Sequence, residues 1–592
     1  MVKLGLEIHQ RLDGKKLFCD CICSINDEEA PRLTITRRLH PVFSELGEVD
    51  EASQAEFAKD RIFEYQVFSS NNCLIETDEE PPKTLNEDAL RFALSIAMQL
   101  NASPVGEVHV MRKMVIDGSN TSGFQRTSIV ALGGHLDTSK GRVGIPQIAI
   151  EEESAGIISG GESRASYRLD RLGIPLIEIS TDPDIKDGEH LSEVAEKLGL
   201  MLRTSGRVAR GLGTIRQDVN VSTEGGARVE IKGAQDLKML PTLVEYEVKR
   251  QTALVSILLE LRAKNALPVK KHPKDATEIF RGTKAKMIAS GMDSGSVVIA
   301  QKLLFHKGVL GKEIQPGRRY GTELSDYAKR AGVKGLIHSD ENLEKYGISK
   351  DEVQKLEKAL EIYAGDAFIM VVAPKDQAEK AVEYALLRAN MDYVPKETRR
   401  ANPDGTSSYM RPLPGRARLY PETDVPPLPL SPEFLAAVQK GESLEDRKSK
   451  LEKILNKEMS VRMLKSRNLH LFEKLVAGGA EPMLAATTLE DTIVSLRREG
   501  VELGDLEKAL TDLFSEFSSG SFVKAAIPEV LKGMAKGARA EAVVKVYRLQ
   551  RITGDELKRI AEECGNDLKI IMQKYRLQVD PAEAAGLIKK KK

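Results

Sequence analysis

Along GLEIHQRL, Gly5 to Leu12, apolar and polar side chains take turns. Leu4, Leu6 and Ile8 point one way, while Glu7, His9 and Arg11 point the other. A period of two predicts a half-buried strand. The same rhythm recurs in IPQIAIEEES, PLIEIST, GTIRQDVNVST and RVEIKG, with Gly and Pro turns between. Residues 1–275 therefore read as short, mainly antiparallel strands. Two helices are expected to interrupt them: DALRFALSIAMQLNA, 88–102, and HLSEVAEKLGLMLRTSG, 190–206, both with apolar residues at helical spacing.

The texture changes between 280 and 397. A helix, SKDEVQKLEKALEIY, a strand, AFIMVVAP, and a second helix, QAEKAVEYALLRANM, make a compact α+β unit that reads as an insertion. Strand and turn texture returns in SSYMRPLPGRARLYPETDVPPLPL, 407–430, and from Pro432 onward helical periodicity dominates. The expected fold class is α+β. An antiparallel-sheet domain spans 1–275 plus 400–432, with the α+β unit over 280–397 inserted. All-α helical and tail domains follow over 433–518 and 519–592, joined near SSGSF. The closing KKKK reads as a solvated end.

A chain of 592 residues is too long for one core, which agrees with three or four domains. Lys plus Arg equals Asp plus Glu, 88 each. That balance excludes a uniformly basic nucleic-acid binder and leaves room for a local basic patch. No apolar run reaches the length of a membrane span and the N-terminus has no secretory leader, so a cytoplasmic protein with no membrane partner is expected. FCDCICS crowds Cys19, Cys21 and Cys23 together. A metal site there needs a fourth ligand, Cys73 or His40; buried thiols on an alternating strand account for the run equally well.

Several chemistries are absent. There is no G-x-x-x-x-G-K-[ST] loop, GLG at 211–213 lacks the third glycine of a dinucleotide fingerprint, and no G-x-S-x-G elbow occurs. What remains is a set of polar strand faces. They carry Glu7 and His9; the run Glu151, Glu152, Glu153; Glu178 with Ser180; Arg216, Asp218, Asn220 and Ser222; and Arg228, Glu230 and Lys232. Arg411, Arg416, Arg418, Glu422 and Asp424 follow on a Pro/Gly-rich loop. For any single strand a wet face explains the pattern. Taken together the inventory is coherent: carboxylates and water hold Mg²⁺, and Arg and Lys neutralise phosphate. An open sheet lined this way could bind a nucleoside triphosphate without a P-loop.

GLEIHQRL…KLFC, RLDRLGIPLIEISTDPDI, IRQDVNVS, VEIKG and LYPETDVPPL together resemble the GatB/GatE family, the kinase-transferase subunits of tRNA-dependent amidotransferases. KGVLGKEIQPGRRYGTELSDYAKRAGVKGL and GDAFIMVVAPKDQAEKAVEYALLRAN are similar to the insert domain of bacterial-type aspartyl-tRNA synthetases, a feature of the archaeal GatE branch. The resemblance implies an ATP- and Mg²⁺-dependent ligase. ATP phosphorylates the side-chain carboxylate of Glu misattached to tRNA(Gln), and ammonia displaces the phosphate to leave Gln-tRNA(Gln). No amidase nucleophile stands in this chain. The implied ammonia source is a GatD-like, asparaginase-type amidase partner, in a heterotetramer of two copies of each subunit.

Carried over by position, Glu7, His9, Glu152 and Glu178 match metal-binding residues of the family. Glu151 stays a candidate because EEE is one residue longer than the usual run. Glu152, Glu178 and Asp218 take the catalytic assignment. Arg216, Asn220, Lys232, Arg416 and Arg418 take the nucleotide-binding one. The second cysteine pair of some relatives is missing, which weakens the case for a structural zinc. Two other readings compete: a non-catalytic tRNA-binding scaffold, which has no need of clustered carboxylates, and a metal-dependent hydrolase, which leaves the Arg-rich loop unexplained.

Overall fold

A computed structural model describes residues 2–43, 47–161, 163–211, 213–415 and 418–589. The last three lysines of the closing KKKK lie outside the described residues. The chain divides into two compact units, Met1–Gly441 and Glu442–Lys592.

The first unit is built on an eleven-stranded sheet. Its main strands are β1 (Lys3–Arg11), β2 (Met111–Met114), β3 (Phe124–Thr138), β4 (Gly141–Glu152), β5 (Pro175–Ser180), β6 (Ile215–Ser222), β7 (Val229–Lys232), β8 (Glu397–Ala401), β9 (Ser407–Pro412) and β10 (Leu419–Pro421). Spatial order is β9-β8-β7-β6-β1-β5-β4-β3-β2-β10, with the short strand Ser103–Pro104 beside β3. Every pair is antiparallel except β7 with β8. A parallel pair needs a long crossover, and the chain between Lys232 and Glu397 supplies it.

Register makes the sheet two-faced. Ile8, Ile177 and Ile150 share one face and are wholly buried. The helix Gly188–Thr204 packs on β1, and Glu87–Gln99 on β3 and β4, through apolar residues such as Leu191, Val194, Leu198, Leu90 and Leu94. Both helices begin on a capped turn: the side chains of Asp187 and Asn86 accept backbone N–H groups of His190 and Ala89. The other face carries the polar residues of β1, β5 and β6.

The expectation of only two helices before residue 275 is corrected. Glu51–Phe57 forms a short helix, and Leu240–Ala263 forms a 24-residue one. The second has no clear apolar stripe in its sequence, because its buried side includes Glu247, Arg250 and Gln251.

A second sheet has the order Lys274–Asp275, Val297–Leu303, Ala367–Ala373, Ile337–His338, all antiparallel. AFIMVVA reads as an unbroken apolar run because both of its faces are covered. Ile369 and Val371 pack with Leu324, Val382 and Leu386 of the helices Tyr320–Ala328 and Lys375–Ala389, while Phe368 and Met370 pack with Phe280, Ile288 and Leu356. Between these helices, Leu240–Ala263 and β8 lie six buried charges. Arg250, Arg388 and Arg399 face Glu247, Glu323 and Glu397. A smaller sheet joins Leu33–Arg37, Ile62–Val67, Arg164–Arg168 and Gly156–Gly160.

The second unit is helical, with no strand among its described residues. Its side chains bury a cluster around Ile552, Leu557, Ile571 and Val579, and Met463, Leu489, Leu510 and Leu531 are buried as well. Helices end near Ser518 and resume at Ile527. Among the described residues, no helix is long and apolar enough to cross a membrane.

Candidate active site

Five neighbouring strands place the site. Cα partners across the sheet are His9 with Glu178 and with Arg216, Glu7 with Ser180 and with Asp218, Leu176 with Glu151, and Asn220 with Glu230. Partners share a face, so Glu7, His9, Glu151, Glu178, Arg216, Asp218, Asn220 and Glu230 all project from the polar side.

His9 is the centre. Its Nε2 lies 3.2 Å from Glu151 Oε1, 3.4 Å from Glu7 Oε1 and 3.6 Å from Glu178 Oε2. Lys113 Nζ, from β2, reaches Glu151 Oε2 at 2.6 Å and Glu178 Oε2 at 3.8 Å. Gln125 Nε2 donates to Glu151 Oε1 at 3.1 Å. On the other flank Lys232 Nζ meets Asp218 Oδ2 at 2.6 Å and pairs with Glu230.

Crowding of like charge shows in the proton affinities. Burial, and then the Glu178 carboxylate, push Glu7 up to about 7. Burial opposes a charged His9, but hydrogen bonds to Glu151 and Glu178 outweigh it and lift its pKa well above the ordinary value. Burial works against an ionised Glu151 too, and Lys113 and His9 overcome it, holding that carboxyl well below its usual range. Asp218 stays low because Lys232 outweighs its burial. Three carboxylates here face one imidazole and the Lys113 ammonium. Glu7, His9 and Glu178 each offer a ligand atom within 4.8 Å of the others. Oxygen-rich donors with one imidazole suit a hard divalent cation such as Mg²⁺.

Glu152 is not brought into this cluster. The family resemblance gives it catalytic and metal-binding roles, but consecutive residues of a strand point to opposite faces, and Glu151 takes the polar one. Glu152 belongs to the face of Ile148 and Ile150. It accepts the backbone N–H of Arg126 at 3.0 Å and the Arg126 guanidinium at 3.4 Å. Its neighbour Glu153 returns to the site side and holds Arg11 and Arg216.

Asn220 shares the site face beside Gly5 and Glu230. Arg418 Nε donates to the Met114 carbonyl at 3.0 Å, and its charge is felt at Lys113. Arg416 lies outside the described residues. Lys113, Gln125, Arg11 and Glu153 received no role from sequence. Lys113 sits in the four-residue strand MRKM, too short to signal a face. Arg11 carried a legible signal, being two positions from His9 on one strand.

A second cluster lies near Glu152, which lines a small pocket together with Lys16, Cys19 and Glu76. Cys19, Cys21, Cys73 and Glu76 place their ligand atoms within 4.8 Å of one another. Cys19 Sγ donates to Glu76 Oε1 at 2.9 Å, and fully buried Lys16 sits 3.1 Å from the same oxygen. Of the two residues considered as a fourth ligand, Cys73 joins the group, whereas His40 packs against the Phe57 ring. Cys23 is not part of it.

The family model described as GatB/GatE catalytic domain matches residues 2–436. The E-type subunit of the glutamyl-tRNA(Gln) amidotransferase of Pyrococcus furiosus is 44% identical over 586 residues, 97% of this chain and 92% of that protein. Its counterpart of the same name in Methanocaldococcus jannaschii is 44% identical over 575 residues, 95% of this chain and 91% of its own length. That of Methanosarcina acetivorans is 42% identical over 618 aligned positions, 100% and 97% of the two chains.

Proposed function

The chain belongs to the GatB/GatE family, and from that premise we propose that it is the kinase-transferase subunit of an ATP-dependent Glu-tRNA(Gln) amidotransferase acting in the cytoplasm. The observation that carries the reading is His9 with Glu7, Glu151 and Glu178 on one sheet face, its Nε2 within 3.6 Å of three carboxylates. The similarity to glutamyl-tRNA(Gln) amidotransferase subunits over nearly their whole length supports the substrate.

Glu7, His9, Glu151 and Glu178 are the residues that would hold Mg²⁺; when bound, it supplies the positive charge that lets a nucleotide triphosphate approach a carboxylate. The chain's own part is positioning and charge. Lys113 keeps Glu151 ionised. Asp218 and Glu230 hold the Lys232 ammonium at the far edge of the face, where it can meet a phosphate. Arg216 adds a second cation on β6. The side-chain carboxylate of the esterified Glu is a poor acyl donor because oxide does not leave. Phosphorylation converts it to an acyl phosphate, and ammonia then displaces phosphate to form the amide. Alignment of two anions and compensation of their repulsion are the main demands on the protein.

The ammonia comes from a partner amidase of the asparaginase type, GatD-like, in an assembly of two copies of each subunit. Residues 1–275 with 400–432 form the nucleotide and acyl-transfer domain, and 280–397 the synthetase-like insert. Helical regions 433–518 and 519–592 recognise folded tRNA by shape and backbone. Cys19, Cys21, Cys73 and Glu76 are the residues that would hold a structural zinc, with three soft thiolates and one carboxylate, although the missing second cysteine pair speaks against it; metal content of the purified chain tests that assignment.

Release of labelled phosphate from ATP, measured with and without Glu-tRNA(Gln), tests the function. Release that depends on the misacylated tRNA is expected. Release that ignores it, or none at all, favours a scaffold that only binds tRNA.

A further inference from the structure

Glu153 is wholly buried and follows directly on Glu151 and Glu152 at the end of β4. Three arginines converge on its carboxylate. Arg11 Nε meets Oε2 at 2.7 Å, Arg216 Nη2 meets Oε1 at 2.8 Å, and Arg171 Nη2 lies 3.5 Å from that same oxygen. A second bond fixes Arg171, whose Nε donates to the Ser154 carbonyl at 2.9 Å. One carboxylate thus pairs with three guanidiniums; Asp170, the next anion felt at Arg171, is already bonded by Arg168, and the group carries a surplus of positive charge.

Where that surplus lies decides its use. Arg11 forms the floor, its side chain only 10% exposed, but Arg216 and Arg171 keep 33% and 25% of theirs open. Arg216 is the Cα partner of His9, and Arg11 follows His9 by two positions on β1. Arg216 therefore adjoins the carboxylate cluster on its own face, and Arg171 joins it through the shared Glu153 oxygen. A purely structural ion pair gains nothing from surplus buried cations, since each adds a desolvation cost and repels the others. Burial depresses the proton affinity of Arg171; Glu153 and Asp170 oppose this, while the charges of Arg11 and Arg216 add to it. An anion supplied from outside would remove that cost. A divalent cation on one side and forked donors on the other match a polyphosphate.

We propose that Glu153 is a positioning residue which aligns Arg216 and Arg171, over Arg11, as the seat for the polyphosphate of the nucleotide. The proposal rests on the nucleotide reading of the His9 cluster. Glu153 touches no substrate; it fixes the plane and reach of the guanidiniums that do. An unaligned arginine keeps its charge but loses the bidentate geometry.

The test is binding by the full-length chain with its Mg²⁺, titrated separately with ATP, inorganic tripolyphosphate and adenosine. Glu153→Gln should weaken ATP and tripolyphosphate by about ten- to a hundredfold, the range seen when a supporting residue behind a ligand is removed. Adenosine binding should not change. Glu153→Asp should recover part of the loss, and in turnover the Gln variant should raise KM for ATP more than it lowers kcat. Because Glu153→Gln can fail to fold, Arg216→Ala at the more open position is measured alongside and should show the same phosphate-selective loss. Unchanged tripolyphosphate affinity in both variants overturns the proposal. So does a parallel loss of adenosine binding, which marks a structural role. Tripolyphosphate binding that the variants abolish, in a wild-type chain that releases no phosphate from ATP with Glu-tRNA(Gln), keeps the seat and overturns the nucleotide reading beneath it.

Discussion

Replacing Glu323 by Gln would remove one charge from the buried cluster that joins the helix Leu240–Ala263 and β8 to the helices over the second sheet. Glu323 Oε1 lies 3.0 Å from Arg399 Nη2; its Oε2 lies 3.1 Å from Arg250 Nη1 and 3.5 Å from Arg388 Nη2. Three cations would then face two anions with no water to screen them. The new amide NH₂ would also point at guanidinium donors, so one hydrogen bond becomes a donor–donor contact. Breaking buried pairs costs about 3–5 kcal/mol, and we take about 4 kcal/mol here. The unit Met1–Gly441 has 441 residues. At about 2.1 cal/mol/K per residue its unfolding entropy is roughly 0.9 kcal/mol/K, so the melting midpoint should fall by about 4 °C. Scanning calorimetry reads this directly, with Glu245→Gln at the exposed Lys249 pair as control. The pH dependence has a definite sign. Burial disfavours an ionised Glu323, but Arg399, Arg250 and Arg388 outweigh it and hold the folded pKa well below the ordinary carboxylate value. Its stabilisation is therefore complete above the unfolded pKa of about 4.3 and is lost as pH falls through the folded value. The gap between wild type and variant should be flat from neutrality down to about pH 5 and should narrow only in stronger acid. A midpoint shift no larger than that of the Glu245 control would refute the claim that the cluster stabilises the fold.

The strand frame at β4 predicts opposite outcomes for adjacent residues. Glu151→Gln, which disrupts the contacts to His9 and Lys113, should cut Glu-tRNA(Gln)-stimulated phosphate release by about a hundredfold, whereas Glu152→Gln should leave the rate close to wild type; the reverse order would return the site to Glu152. Glu178→Gln should behave like Glu151→Gln while melting normally by circular dichroism. Ending the chain at Gly441, the close of the first compact unit, should weaken tRNA(Gln) binding in a filter assay far more than ATP binding; equal tRNA affinity would take recognition away from the helical unit.

How much of this was readable beforehand depends on what each signal needed. GLEIHQRL, PLIEIST and RQDVNVS announced their polar faces because the opposite faces are buried under helices, and burial on one side enforces alternation. The choice among Glu151, Glu152 and Glu153 was not legible in that way. Three identical residues carry no alternation, and only pairing with Leu176 of β5 fixes which of them meets His9. The cluster at Glu323 was hidden for a different reason. Glu247 and Arg250, three apart on a helix, look like a solvated pair until Glu323, Arg399 and Glu397 arrive from 73 or more positions away. Glu153 combines both difficulties. It is the third residue of an ambiguous run, and its partners Arg11 and Arg216 are 142 and 63 positions distant. Local periodicity says which side of a strand is wet. Which charges share that side, and therefore whether a carboxylate holds a cation or steers an arginine, is settled by pairing between strands remote in sequence.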